Sequence, residues 1–337
     1  SGSAYFFRRT GTNSWDTGTK IVASDGAAAD LFGYSVSISG DYAIVGSYGD
    51  DDNASHSGSA YVFRRTGSNS WDGGTKLVDP DGGREEFFGF SVSISGNYVI
   101  VGAPQTHDNG TYSGSAYVFN RTGTNSWDGG TKITAADGEA YDFFGHSVSI
   151  SGDYAIIGAR GYKGDGNFIG SAYVFHRTGT NTWDSGTKIV SPDSGESDYF
   201  GWSVSINGDY AIVGASRDDD LGRASGSPHV FHRTGTNAWD SRTKLLASDG
   251  AEGDGFGRSV SISGDSVVVG AAGDDDNGSD SGSAYIFTRT ATNTWDTGTK
   301  IVASDGAAAD LFGWSVSISG DYAIVGSYED DDNGSRS

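Results

Sequence analysis

The 337 residues carry a formal net charge of −22, so phosphate backbones and anionic membrane surfaces would repel the chain, and nucleic acid is not an expected partner. Cys and Met are both absent, which removes disulfides, thiolate metal sites and thiol nucleophiles, and no apolar run approaches the roughly 20 residues of a membrane-spanning helix. Fifty-four Gly against 4 Pro fit many tight turns between short strands, and the opening Ser1, without a charged and then apolar leader, reads as the start of a mature or excised fragment.

One phrase organises the chain. "SVSI" begins at Ser35, Ser91, Ser147, Ser203, Ser259 and Ser315, and Trp-Asp begins at Trp15, Trp71, Trp127, Trp183, Trp239 and Trp295, each series 56 residues apart. A fixed period of this size signals a solenoid, a propeller or an array. Within the repeat Phe88 to Phe143, "FSVSISG" puts Phe90, Val92 and Ile94 on one face and serines on the other, the period of two of a strand. After a Ser-Gly-Asn turn, "YVIVGA" is apolar on both faces and reads as a strand buried on both sides. The loop "PQTHDNGTYSG" leads to a third strand, "SAYVFNRT", and "GTNSWDGG" to a short fourth, "TKIT". No segment has helical spacing.

Four antiparallel strands per repeat are the pattern of a propeller blade, whereas β-helix coils are shorter and helical repeats need a 3.6 period. The expected fold is therefore all-β, a six-bladed β-propeller of four-stranded antiparallel blades forming one domain over residues 1–337. The chain opens on a third strand, "SGSAYFFRRT", and closes after a second strand, "DYAIVGSYEDDDNGSRS". Pairing the N-terminal with the C-terminal strands would close the ring, with the last blade shared by residues 1–24 and 313–337, and would remove exposed edges. A slice of a longer array is the competing arrangement, since "TGTKIVASDGAAADLFG" occurs identically at residues 17–33 and 297–313.

Phe88-Gly89 and Gly102-Ala103-Pro104 resemble the FG-GAP repeat, the blade unit of the integrin α-subunit head and of many secreted bacterial and algal proteins. Phe-Gly recurs at Phe32, Phe144, Phe200, Phe256 and Phe312, while the second half of the motif varies. The resemblance implies an extracellular or cell-surface adhesion or recognition module, a fold that serves several functions. The calcium loop of integrin-type blades does not carry over, because the turn here is only "SGDY" at Ser39 to Tyr42, too short for six to eight oxygen ligands. No Arg-Gly-Asp tripeptide is present, and the integrin head has seven blades.

The strand order brings the second-to-third and fourth-to-first loops to one end of the blades, and that end varies from repeat to repeat. The residue after Phe-Gly is Tyr34, Phe90, His146, Trp202, Arg258 or Trp314, an expected ligand-binding set because aromatic faces suit sugar rings and contact hot spots; blade-to-blade packing is the alternative. Acid collects at the same end, with "DDDN" or "DDDL" at Asp50, Asp218, Asp274 and Asp330. Asp50, Asp52, Asp218, Asp220, Asp274, Asp276, Asp330 and Asp332 are accordingly the expected calcium ligands in four of six repeats; a solvated acidic rim is the alternative. "THDN" at Thr106 and "YKGD" at Tyr162 break that pattern, and Asp25 and Asp30, with acidic equivalents throughout, add to it. Trp-Asp in every repeat points to structure, the Trp covering a blade edge and the Asp satisfying turn amides. Sequons at Asn53, Asn109, Asn120, Asn277 and Asn333 offer glycosylation sites in a secretory route.

Catalysis needs unlike groups converging, and the six His residues occupy mostly different phases, with only His176 and His232 sharing one. No nucleophile elbow, zinc-protease helix or phosphate loop appears, and "GDGNFIG" at residues 164–170 is an unspecific glycine-rich stretch. The sequence thus points to a non-enzymatic adhesion or recognition module for an extracellular protein or glycan. A glycan-binding lectin and a self-assembling structural subunit of a surface or matrix fibre, or a module of a larger parent protein, are the alternatives.

Overall fold

The computed structural model describes residues 1–161, 168–193 and 195–330. Among them there is no helix, and the six repeats form antiparallel, propeller-type blades. The chain divides into two compact units, Ser1–Asp153 with Arg177–Asp184, and Tyr154–His176 with Ser185–Ser337.

In the first unit the second blade shows the pattern. Its innermost strand Ser91–Ser95 pairs with Tyr98–Ala103, setting Val92 opposite Val101. That strand pairs with Ser115–Gly123, which in turn carries the outer strand Thr131–Ile133. Beyond a register shift, the far end of Ser115–Gly123 turns aside to pair with Ser126–Trp127, so the outer strand is split into two pieces around Trp-Asp. The second unit repeats the plan, and in its blade built on Phe200–Asn207 the two outer pieces merge into Ala238–Lys244.

Alternation on the innermost strand and continuous apolarity on the second follow from their surroundings. Ile44, Val99, Ile100 and Val101 are fully buried, each burial stabilising the fold by about 2 kcal/mol. Val92 and Ile94 join one core cluster with Tyr42, Ile44 and Val62 of the preceding blade. Packing of the large face against a neighbour's serines is the arrangement that alternation alone suggests; the large side chains instead meet apolar second and third strands. The serine hydroxyls serve the strand edge: Ser37 and Ser39 accept from the N–H groups of Ile94 and Gly96 at 3.2 and 3.3 Å. A hydroxyl there satisfies an edge amide that apolar packing would leave unpaired.

The two conserved glycines of the repeat are contact points. A methyl group on Gly102 would collide with the carbonyl oxygen of Gly145 in the next innermost segment, and Gly89 holds φ at +89° against the Ser59 carbonyl.

At the two ends of the chain Ala4–Phe6 pairs with Thr19–Ile21, and Phe312–Ser319 with Tyr322–Ser327.

Candidate functional site

The loops at the variable end converge on lysines. In the first repeat the outer-strand Lys76 places its ammonium 2.9 Å from Asp25, 2.9 Å from Asp50 and 2.6 Å from Asp52. Lys132 reaches Asp81 at 2.8 Å and Asp108 at 2.6 Å. Lys244 reaches Asp193 at 3.0 Å and Asp218 at 2.9 Å and also contacts Asp220, while Lys300 takes Asp249, Asp274 and Asp276 at 2.9, 2.6 and 2.6 Å. Burial opposes the lysine charges, but the surrounding carboxylates hold Lys76, Lys244 and Lys300 well above the ordinary lysine range.

Six of the eight expected metal ligands therefore surround an ammonium group. Asp330 is described and Asp332 lies outside the described residues. No group of three His, Asp or Glu side chains suited to a metal occurs among the described residues. Sequence reasoning missed the lysines, although the signal was present: Lys20, Lys76, Lys132, Lys188, Lys244 and Lys300 recur in every "TK".

The second acidic series is a turn device. Glu86, Asp142, Asp254 and Asp310 each accept the backbone N–H three residues earlier, at 2.6 to 2.8 Å. Nearby Glu85 and Phe87 hold φ at +60° and +59°, so the approach to Phe-Gly is a strained loop fixed by that carboxylate. The Trp-Asp aspartates behave as expected: Asp72 accepts from Arg64 and Gly74, and Asp128 from Asn120 and Gly130, at 2.9 to 3.1 Å.

The residues after Phe-Gly form a row within each unit. In the first, Tyr34 and Phe90 lie 5.1 Å apart and Phe90 and His146 5.0 Å apart, ring centre to ring centre. In the second, the Arg258 guanidinium sits 3.6 Å from the Trp314 ring and 5.3 Å from Trp202, with Arg160 on Trp202 at 5.1 Å.

Beside Arg258 the second unit opens a cleft of about 630 Å³ that sequence reasoning did not single out, lined by Arg217, Arg223, Arg258, Glu196, Asp219 and Glu252 among others. Arg217 covers the Tyr199 ring at 5.1 Å, and Asp219 accepts the Ala224 N–H at 2.7 Å. The arginines are departures from the repeat: where Arg217 stands, other repeats have Gly49, Gln105, Gly161, Gly273 and Glu329, and where Arg223 stands, Ser55, Thr111, Asn167, Ser279 and Ser335. His176 and His232 lie on third strands against Tyr154 and Tyr210, away from this cleft's lining.

The sequence profile of the FG-GAP repeat matches residues 15–63, 71–119, 127–175, 183–231, 239–287 and 295–337. Repeats of this kind are generally found in adhesion and recognition proteins that are typically extracellular or on the cell surface. No curated protein matches the chain.

Proposed function

The chain belongs to the FG-GAP repeat family, and on that premise we propose that it is an extracellular recognition module that holds an acidic glycan in the arginine-lined cleft of its second unit. The observation that carries this reading is that Arg217 and Arg223 stand around a concave surface where no other repeat has a basic residue, in a chain of net charge −22. An acidic chain that places guanidiniums at one cleft selects there for carboxylate or sulfate, which a guanidinium meets with paired N–H donors. Glu196, Asp219 and Glu252 supply acceptors for sugar hydroxyls. Binding, without catalysis, is the activity.

Calcium is not needed on this reading, because Lys76, Lys132, Lys244 and Lys300 already give the loop carboxylates a cationic partner. The test is a glycan array probed in chelator with the parent chain and the Arg217→Ala/Arg223→Ala variant. The parent is expected to retain acidic glycans and the variant to lose at least about tenfold in affinity. Equal binding by both chains would count against the cleft, and binding that appears only with added calcium would restore the metal-assisted alternative.

A further inference from the structure

One backbone contact between the two variable loops recurs along the chain. The N–H of Phe87 donates to the His56 carbonyl, Phe143 to Tyr112, Tyr199 to Phe168, Gly255 to Ala224 and Leu311 to Asp280, all at 2.9 to 3.2 Å. In the first three the contact carries a pair of rings. His56 and Phe87 lie 6.0 Å apart, centre to centre, Tyr112 and Phe143 also 6.0 Å, and Phe168 and Tyr199 4.7 Å. Tyr48 adds a third ring to the first pair, 5.2 Å from Phe87.

In the fourth, the positions of His56, Phe87 and Tyr48 hold Ala224, Gly255 and Ser216. The backbone does not ask for the glycine. Leu31, Phe87, Phe143, Tyr199 and Leu311 hold φ between +53° and +59° where Gly255 holds +64°. What the glycine supplies is room: a Cβ there would have no neighbour nearer than 3.8 Å, and one on Gly253 none within 4 Å. Side chains of a ring pair are thus missing from a backbone that keeps its contact, and Ser216, Ala224, Gly253 and Gly255 all line the cleft of about 630 Å³.

The arginines accompany the small residues. Arg217 follows Ser216, Arg223 precedes Ala224 and Arg258 stands three residues after Gly255, whereas the same positions around the three ring pairs hold no arginine. Room and positive charge therefore enter the repeat together.

We infer, building on the acidic-glycan reading, that a pyranose ring of the ligand occupies the place of the missing ring pair, and that Gly255 and Ala224 are the residues that decide what enters. A six-membered sugar ring has the breadth of the Phe87 or Tyr199 ring that other repeats place there. It also suits the walls better than an aromatic ring would. Glu196, Asp219 and Glu252 stand among the arginines, and an apolar ring would cover these charges without bonding them. Sugar hydroxyls donate to the carboxylates and accept from guanidiniums, and the acid group takes paired N–H donors from an arginine. The space of a ring pair admits a mono- or disaccharide unit, so the cleft reads a short acid-bearing unit and not a long stretch of chain.

Returning a side chain should close the seat. Gly255→Leu copies Leu31 and Leu311, and Ala224→His copies His56, each a side chain that the repeat already carries at that backbone conformation. Affinity is measured in chelator for two matched pairs, a glucuronate disaccharide with its carboxyl-reduced form and a sulfated disaccharide with its desulfated form. Thermal melts show which variants are folded, and either folded variant suffices. Both are expected to lose at least about tenfold in affinity for the acidic disaccharides that the parent holds. Unchanged binding in a folded variant overturns the seat and leaves the arginine reading standing. A parent without preference for acid, whose binding to both members of a pair is lost in Gly255→Leu, supports the seat and overturns the acidic reading. Binding of no disaccharide by the parent overturns both. A sulfotyrosine peptide that the parent holds in preference to every disaccharide, and that Gly255→Leu loses, gives the seat to an aromatic ring and overturns the sugar.

Discussion

The Lys300 ammonium nitrogen lies 2.6 Å from a carboxylate oxygen of Asp274, a side chain almost removed from water in a loop that reads Asp-Asp-Asp-Asn. The lysine comes from the outer strand, its Nζ 5.6 Å from the Tyr285 ring centre, and it does in this repeat what a bound cation was expected to do. An ammonium group delivered by the fold is always present and needs no ion from solution.

Removing it leaves Asp249, Asp274 and Asp276 facing one another. Lys300→Met is expected to destabilise the fold by about 2 kcal/mol, below the range for a fully buried pair because two of the three carboxylates are partly solvated. Thermal melts with and without millimolar calcium check this. Calcium should raise the variant's Tm and leave the parent's unchanged; a parent that responds equally would show that the loops take the ion beside the lysine.

Stability should be greatest in mildly acidic solution. Burial pushes Asp198 and Asp254 up to about 6 and Glu86 up to about 7; a backbone N–H works against it in each case and a nearby carboxylate adds to it. A carboxyl raised in the folded state stabilises fully below its unfolded value near 4, and that contribution is lost as pH rises through 6 to 7. Asp25 and Asp249 behave oppositely. Burial raises them, but bonds from Tyr61 with Lys76, and from Tyr285 with Lys300, hold both below the usual value. Their contribution is lost as pH falls below about 4. Tm measured from pH 3 to 8 should therefore peak near 5, and Asp254→Asn, which keeps an acceptor for the Ala251 N–H, should flatten the high-pH side.

His229 is buried where other repeats place Tyr61, Tyr117 and Tyr285, and its Nε2 stands 3.4 Å from an Asp193 oxygen, too far and too poorly aligned for a good hydrogen bond. Tyr61 and Tyr117 donate to Asp25 and Asp79 at 2.6 and 2.5 Å. His229→Tyr restores a hydroxyl aimed at Asp193 and should stabilise the fold by about 1 kcal/mol, read as an increase in the denaturation midpoint.

Gly102→Ala should cost more than about 3 kcal/mol, since the added methyl meets the Gly145 backbone carbonyl and no side chain can rotate aside. Chemical denaturation of this variant beside Gly96→Ala separates contact from conformation. Gly96 has positive φ with open space around it, so it should lose less.

Strands and blades were legible because period-two faces and turn residues act over a few neighbours. Val92, Ile94 and the doubly apolar Tyr98–Ala103 are found where the alternation puts them. The turn role of Asp72 and Asp128 was legible for the same reason. The lysine cages were not, because Lys300 meets Asp249 and Asp274 across 51 and 26 residues, and a strand's solvent-side lysine looks like any other. The arginine cleft escaped because its residues come from three separate loops, those of Glu196, Arg217 and Glu252. Only comparing equivalent positions across repeats shows Arg217 and Arg223 as departures.

The most direct test of the recognition account measures affinity of the parent chain, in chelator, for matched pairs of glycans that differ only in acid groups. One member keeps its carboxylate or sulfate and the other has it reduced or removed. The arginine cleft predicts at least about a tenfold preference for the acidic member, weakening as salt rises. Equal affinity for both members of every pair, or binding to neither, would contradict it.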